Sequence, residues 1–287
     1  MKQIGYFLFR ATARVVGLMP LWVWRILMFV LYIFIYYLFG YRRKVTRDNL
    51  EKSFPDFSKE KINAIEKKYY KHLARLVIEV FASKHLSRKF FEKQIPVHHA
   101  NLITDYTSQG RKVIMMSGHF GNWEWAGIRL GLLDDSPLHI IYKPVTDPFF
   151  EKYMKQLRMN LGNETLSLYM MPRHLLTLKG SCITCILADQ TPASTENLWL
   201  SFLGRDTLFF SAIEKLARRI DAVIVFGNML PGEDGRYNIS VELIADNMSQ
   251  IPEGQLMPMY VKLLERNIYE NPYNWLWSHR RWKHQKH

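Results

Sequence analysis

The sequence predicts an α/β fold, with a central mixed or largely parallel sheet flanked by helices and a membrane-anchoring helix at the N-terminus. Three observations carry that expectation. Beyond Gln94, short apolar runs alternate with helical patterns, the arrangement that builds a sheet covered by helices. The most apolar stretch lies near the N-terminus, from Leu21 to Gly40, and is broken by one charge at Arg25. The chain as a whole is 48% hydrophobic over 287 residues, ordinary for a globular protein and too low for a polytopic membrane protein.

Taken in order, the N-terminal stretch comes first. Its charge-free part, Ile26 to Gly40, is shorter than the roughly 20 residues that a perpendicular span needs. Arg25 can snorkel to the headgroups and restore a span. Equally, Tyr6 to Gly40 can lie in the interface as an apolar hairpin or ramp. Trp22, Trp24 and the Tyr36-Tyr37 pair sit near the ends, which suits a lipid interface better than a buried core helix. No small-residue cleavage site precedes Tyr41-Arg42-Arg43-Lys44, so removal as a signal peptide is not expected. Arg42, Arg43, Lys44, Arg47 and Lys52 follow the stretch, against Lys2, Arg10 and Arg14 before it, and the heavier basic flank predicts a cytoplasmic body. The expected division is therefore 1–45 as membrane anchor and 46–287 as cytoplasmic domain.

At Ser58 a helix begins, with the serine as N-cap and Glu60 in the first turn. Ile62, Ile65, Tyr69, Leu73, Leu76 and Val80 then recur at three- and four-residue steps. Val113 to Met116, His139 to Tyr142, Ile183 to Leu187 and Ala222 to Phe226 read as buried strands. Ile239, Val241 and Leu243 alternate with polar residues, as in a half-exposed edge strand. Helical patterns fall between, at Trp123 to Leu133, Phe149 to Leu161 and Ser211 to Ile220.

Lys and Arg total 39 against 26 Asp and Glu, a formal net charge of +13. That excess suits nucleic acid, anionic lipid or an acidic carrier protein, and equally a solvated basic surface. A nucleic-acid binder clusters its basic residues with exposed aromatics on a recognised fold. Here they are spread along the chain without a helix-turn-helix, zinc or RNA-recognition signature, so no nucleic acid is expected. The two cysteines, Cys182 and Cys185, form a C-x-x-C that no second pair or histidine cluster completes, so no metal is expected. As a strand, the same run points them to opposite faces.

The densest motif is His119-Phe120-Gly121-Asn122-Trp123-Glu124, directly after the strand Val113 to Met116 and Ser117-Gly118. In an open α/β sheet, sites form in loops at the carboxyl ends of strands. Gly118 and Gly121 permit tight turns around the histidine, and Asn122 can cap the next helix. On one continuous helix His119 and Glu124 would stand about 140° apart. With His119 in the turn and Glu124 in the first helical turn, the carboxylate can reach back to the ring and fix its tautomer. Structural His–Glu pairs are commoner than catalytic ones, and the strand–turn–helix context is what favours catalysis here. There is no nucleophile elbow, dinucleotide fingerprint or P-loop, so the dyad suits direct transfer with the histidine as base.

At this motif the sequence resembles the lipid A late acyltransferases, the lauroyl and myristoyl transferases of lipopolysaccharide assembly. Their signature is His, four residues, then Asp or Glu. Further blocks in order support the likeness: Arg42-Arg43-Lys44-Val45-Thr46-Arg47-Asp48-Asn49-Leu50 with Phe54-Pro55, and Tyr142-Lys143-Pro144 with Asp147-Pro148 and Arg158. Then come Ala188-Asp189-Gln190, Phe202-Leu203-Gly204 and the closing Trp275-Leu276-Trp277-Ser278-His279-Arg280-Arg281-Trp282. Lys143 stands where Arg is common in the family.

The resemblance implies a glycerolipid-acyltransferase-like sheet and an O-acyltransferase in 46–287, located at the cell inner membrane with its catalytic domain on the cytoplasmic face. It implies acyl carrier protein as donor, a lipid A precursor hydroxyl as acceptor, an anionic membrane surface as partner and no cofactor. His119 is the expected base and Glu124 the residue that orients it. Arg158 is expected to hold phosphate or oxyanion charge, with Asn122, Asp189, Gln190, Tyr142 and Lys143 at the substrate. Asp189-Gln190 also fits a simple turn cap, and Phe202, Phe209 and Phe210 fit a core as well as an acyl pocket. Amides near Gly118 to Gly121 are candidate oxyanion donors. The basic tail His279 to His287 suits an acidic carrier or anionic headgroups, and equally a frayed terminus. Two other readings differ: a related transferase acting on a mannosylated inositol lipid or amino-acid lipid, and a non-catalytic basic membrane-binding protein. Retention of both His119 and Glu124 disfavours the last.

Overall fold

The computed structural model describes residues 2–192, 194, 197–232 and 235–286. The outermost residues of the two expected domains, Met1 and His287, lie outside them. At the N-terminus α1 (Lys2–Leu18) and α2 (Leu21–Ile33) form two consecutive helices, and α2 continues through a π-helical turn, Phe34–Leu38. Next come α3 (Arg43–Ser53), α4 (Lys59–Ala82), α5 (Arg88–Gln94), β1 (Val97–His98), α6 (Asn101–Ser108) and β2 (Lys112–Ser117). The middle of the chain holds α7 (Trp123–Leu130), β3 (Leu138–Tyr142), α8 (Pro148–Arg158), β4 (Glu164–Ser167), α9 (Met171–Thr177) and β5 (Cys182–Leu187). A hairpin of β6 (Leu198–Phe202) and β7 (Arg205–Phe209), α10 (Ala212–Arg219), β8 (Val223–Pro231), β9 (Tyr237–Ala245) and α11 (Leu256–Glu270) complete it.

Among the described residues the sheet has seven strands, in the order β1-β9-β8-β2-β5-β3-β4. All neighbours run parallel except β8 and β9, so the sheet is mixed and mostly parallel, as expected. Alternate residues of each strand face opposite layers. Ile114, Met116, Cys182, Ile186, Ile224 and Phe226 join the layer built with α10, α11 and the C-terminal tryptophans. Val113, Met115, Ile183, Val223 and Val225 join the layer built with α5 to α8. Cys182 and Cys185 part between these layers as free thiols. The expected edge strand is β9, but the two-residue β1 pairs outside it at Ile239 and Ser240. β1 and β4 carry too few apolar residues to stand out in the sequence, and the β6–β7 hairpin is not among the expected strands.

α4 starts as the sequence predicts, with the Ser58 hydroxyl accepting the Lys61 amide at 3.3 Å. It supports the N-terminal helices on one side. Trp24, Tyr32 and Tyr36 are buried, and Tyr36 lies 5.3 Å from the Tyr70 ring. Residue 45, the expected boundary, falls inside α3, and the N-terminal helices pack onto the rest of the chain. α3 is tied to α4 through Glu66, whose buried carboxylate accepts from Arg43 Nε at 3.0 Å and Arg47 Nε at 2.9 Å.

Both arginines are partly exposed, so water screens them in part. Glu66→Gln keeps the shape and removes the charge. The expected loss is about 1–3 kcal/mol, seen as a lower midpoint of thermal unfolding.

Candidate active site

β2 and β5 are adjacent and parallel, with Ser117 opposite Leu187. Two residues further along each chain stand His119 and Asp189, so the strand register itself brings them together. The Asp189 Oδ1 atom lies 2.6 Å from His119 Nδ1, and Oδ2 accepts the His119 backbone amide at 2.8 Å and the Trp275 indole N–H at 2.7 Å. Burial alone would raise the Asp189 pKa, but the His119 ring beside it and the hydrogen bonds from His119 and Trp275 hold it down to about 2. Against an ionised carboxylate, Nδ1 carries the proton, and Nε2 is left as the acceptor. The Gln190 amide nitrogen sits 3.0 Å from that Nε2.

This corrects the expected pairing. The ring is held by Asp189, not by Glu124. Glu124 occupies the first turn of α7, and its carboxylate accepts from Arg158 Nε at 2.8 Å and Nη2 at 2.7 Å. The helix turns Glu124 away from the loop that carries His119, and α8 supplies a guanidinium that matches the carboxylate two bonds at a time. Arg158 also lies 5.3 Å from the Tyr142 ring centroid, so Glu124, Arg158 and Tyr142 form a second cluster. Lys143 is exposed just past the carboxyl end of β3.

Asn122 is fully buried. Its Oδ1 accepts the Trp125 amide at 3.1 Å, the predicted helix cap, and its Nδ2 donates to Glu79 Oε2 at 3.0 Å. With both ends used inside the fold it is a positioning residue, contrary to its expected place at the substrate. Three of the expected oxyanion donors are also committed: the His119 amide to Asp189, the Phe120 amide to the Gly118 carbonyl, and the Gly121 amide to the Asn274 carbonyl. Gly121 has φ +55°, and a Cβ there would meet the Met229 carbonyl at 2.9 Å. A Cβ on Gly118 would stand 2.6 Å from Leu264 and 3.2 Å from Asp189. Both glycines are therefore required by close approach.

Several supporting residues lie far away in sequence. On α4, Glu79 accepts from Arg75 at 2.6 Å and from the Tyr237 hydroxyl at 2.9 Å, and His72 Nε2 reaches the Gly121 carbonyl at 3.3 Å. The C-terminal block folds back over the site. Asn49 donates to the Trp277 and His279 carbonyls, each at 2.9 Å, and His279 Nε2 lies 3.4 Å from the Thr191 amide. Arg281 is buried against Phe209 and donates to the Leu208 carbonyl at 2.7 Å. The start of the basic tail is thus packed, which its composition did not reveal, and Phe202 and Phe209 are core. Among the described residues no group of three or more His, Cys, Asp or Glu could hold a metal ion.

Burial pushes His72 and His279 down to about 4. Unfolded histidine titrates near 6.5, so the unfolded chain takes up these protons first on acidification. The stability contributed by the two neutral rings is complete above about pH 6.5 and is lost as the pH falls towards 4. His72→Gln keeps a donor for Gly121 and cannot titrate. Its unfolding midpoint is expected to fall less steeply over that interval than that of the unaltered chain.

No curated protein matches the chain. Among solved structures it is similar to the 1-acyl-sn-glycerophosphate acyltransferase PlsC of Thermotoga maritima, with 14% identity over 86% of this chain and 96% of that one. The TM-score is 0.39, too distant a likeness to transfer chemistry. The family model for bacterial lipid A biosynthesis acyltransferases matches residues 1–284. The chain belongs to that family and is an acyltransferase.

Proposed function

We propose that the chain moves a fatty acyl group from an acyl carrier protein thioester to a hydroxyl of a lipid A precursor at the cytoplasmic face of the inner membrane. The observation that carries this reading is the His119 ring, fixed through Nδ1 by Asp189 at 2.6 Å with Nε2 turned to the Gln190 amide. A neutral imidazole held in that tautomer is a general base, and the family supplies a lipid acceptor for it to deprotonate.

In the proposed step, the acceptor hydroxyl displaces the Gln190 amide at Nε2. The proton passes to Nε2 as oxygen attacks the thioester carbonyl carbon. Collapse breaks the C–S bond, and Nε2 returns the proton to the departing thiolate, so no covalent enzyme intermediate forms. Asp189 stabilises the imidazolium while it lasts. Arg158, held in place by Glu124, supports the charge that develops on the carbonyl oxygen or on an acceptor phosphate. The net charge of +13 suits both an acidic carrier and anionic lipid headgroups.

The test is transfer from acyl carrier protein thioesters to a tetra-acylated lipid A precursor in detergent. Transfer by the unaltered chain and none by folded His119→Ala is the expected result. Turnover only with other membrane lipids would retain the base and exclude lipid A. Full activity in His119→Ala would refute the mechanism. Asp189→Asn preserves the volume but removes the charge that sets the tautomer. Its kcat is expected to fall by about 10²–10⁴ in a chain that still folds.

A further inference from the structure

α2 with its π-helical turn has two unlike sides. Trp24, Tyr32 and Tyr36 form an inward stripe against α4 and α5, with Tyr36 over Tyr70 and Trp24 against Phe90 at 6.5 Å. Trp22, Ile26, Phe29, Phe34 and Leu38 face outward, each between 43% and 66% exposed. α1 adds Phe7 and Leu18, both more than 70% exposed. Soluble monomers rarely leave so many large apolar side chains in water, so this surface is covered in the working protein.

Leu21–Leu38 is, among the described residues, the helix long and apolar enough to cross a bilayer. Its 18 residues span about 27 Å, close to the roughly 30 Å of the hydrocarbon core. Its packing opposes that orientation. α4 runs antiparallel beside it, and the Lys71 ammonium stands 5.7 Å from the Tyr32 ring. Tyr32 is only about 3–5 Å along the axis from the midpoint of the stretch. A perpendicular span would therefore carry the Lys71 charge close to the bilayer midplane, where charge is strongly disfavoured. It would carry the catalytic loop as well, because α4 also holds Gly121 through His72 and Asn122 through Glu79.

We infer that α1 and α2 lie flat in one leaflet, with the outward apolar side sunk about 5–10 Å below the headgroups and α4 bearing the body above it. Arg25, Arg42 and Lys44 are exposed around this side and meet anionic headgroups. The arrangement rests on the membrane reading proposed above, and it puts the loop bearing His119 next to the leaflet from which a lipid acceptor would come.

The test is depth-resolved spin labelling of the full chain on vesicles of phosphatidylethanolamine and phosphatidylglycerol, with Trp22→Cys, Phe29→Cys, Leu38→Cys and Lys71→Cys. Cys182 is buried and burial pushes the Cys185 thiol up to about 12, so the native thiols label poorly. In-plane docking gives labels 22, 29 and 38 a common depth within about 5 Å, and label 71 outside the hydrocarbon. A label at 29 near the midplane, with 22 and 38 at opposite surfaces, would overturn the inference in favour of a span. Water accessibility at all three would overturn it in favour of no docking. Phe29→Glu is expected to weaken vesicle binding at least tenfold with an unchanged unfolding midpoint, and undiminished binding would also count against docking through this side. Depth is read without substrate, so a spanning chain that transfers acyl groups refutes only this inference. A flat chain without transfer refutes only the proposed reaction.

Discussion

The Asp189 carboxylate is the point on which the site depends. It is almost entirely buried, and three donors meet it: the ring and the amide of His119 and the indole of Trp275. A buried charge is tolerable only when paired and hydrogen-bonded, and here each contact also fixes a separate piece of chain. The His119 amide sets the turn after β2, the ring bond sets the tautomer, and Trp275 draws the C-terminal block over the sheet. The Gly118 and Gly121 constraints follow, because a side chain at either would push this loop off its support.

α4 carries out a second task. Its inner side reaches the loop through His72 and Glu79, while its other side bears the N-terminal helices. The His119 loop and the apolar surface are thus held at a set distance by one 24-residue helix. The Glu79 carboxylate accepts from Arg75, Asn122 and Tyr237, which leaves the Asn122 amide a single orientation compatible with its cap. Glu124 and Arg158 form a further bidentate pair. Buried ion pairs of this kind contribute little net stability and much geometric definition.

The local features were legible where short-range physics decides them. The Ser58 cap, the Asn122 cap and the four buried strands all lie where composition and period put them, because capping and burial act over a few residues. β9 was misplaced as an edge because β1, the two-residue strand that covers it, has no pattern of its own. The packing of His279 and Arg281 was hidden by a basic composition that describes solvated tails equally well.

His119 was found from its strand–turn–helix setting, and Glu124 was chosen as its partner because it is near in sequence. The true ring partner is 70 residues away, and no spacing rule connects them. Asp189 was singled out as an expected substrate residue or turn cap, not as the partner of the ring. The sequence by itself determined the fold class, the apolar N-terminal stretch and the loop that carries His119 at the carboxyl end of β2. Only the tertiary structure decided which carboxylate meets the ring and which sides of α2 and α4 face one another. The reason is physical: hydrogen bonds and packing act through space, and the register of β2 with β5 is set by the whole sheet.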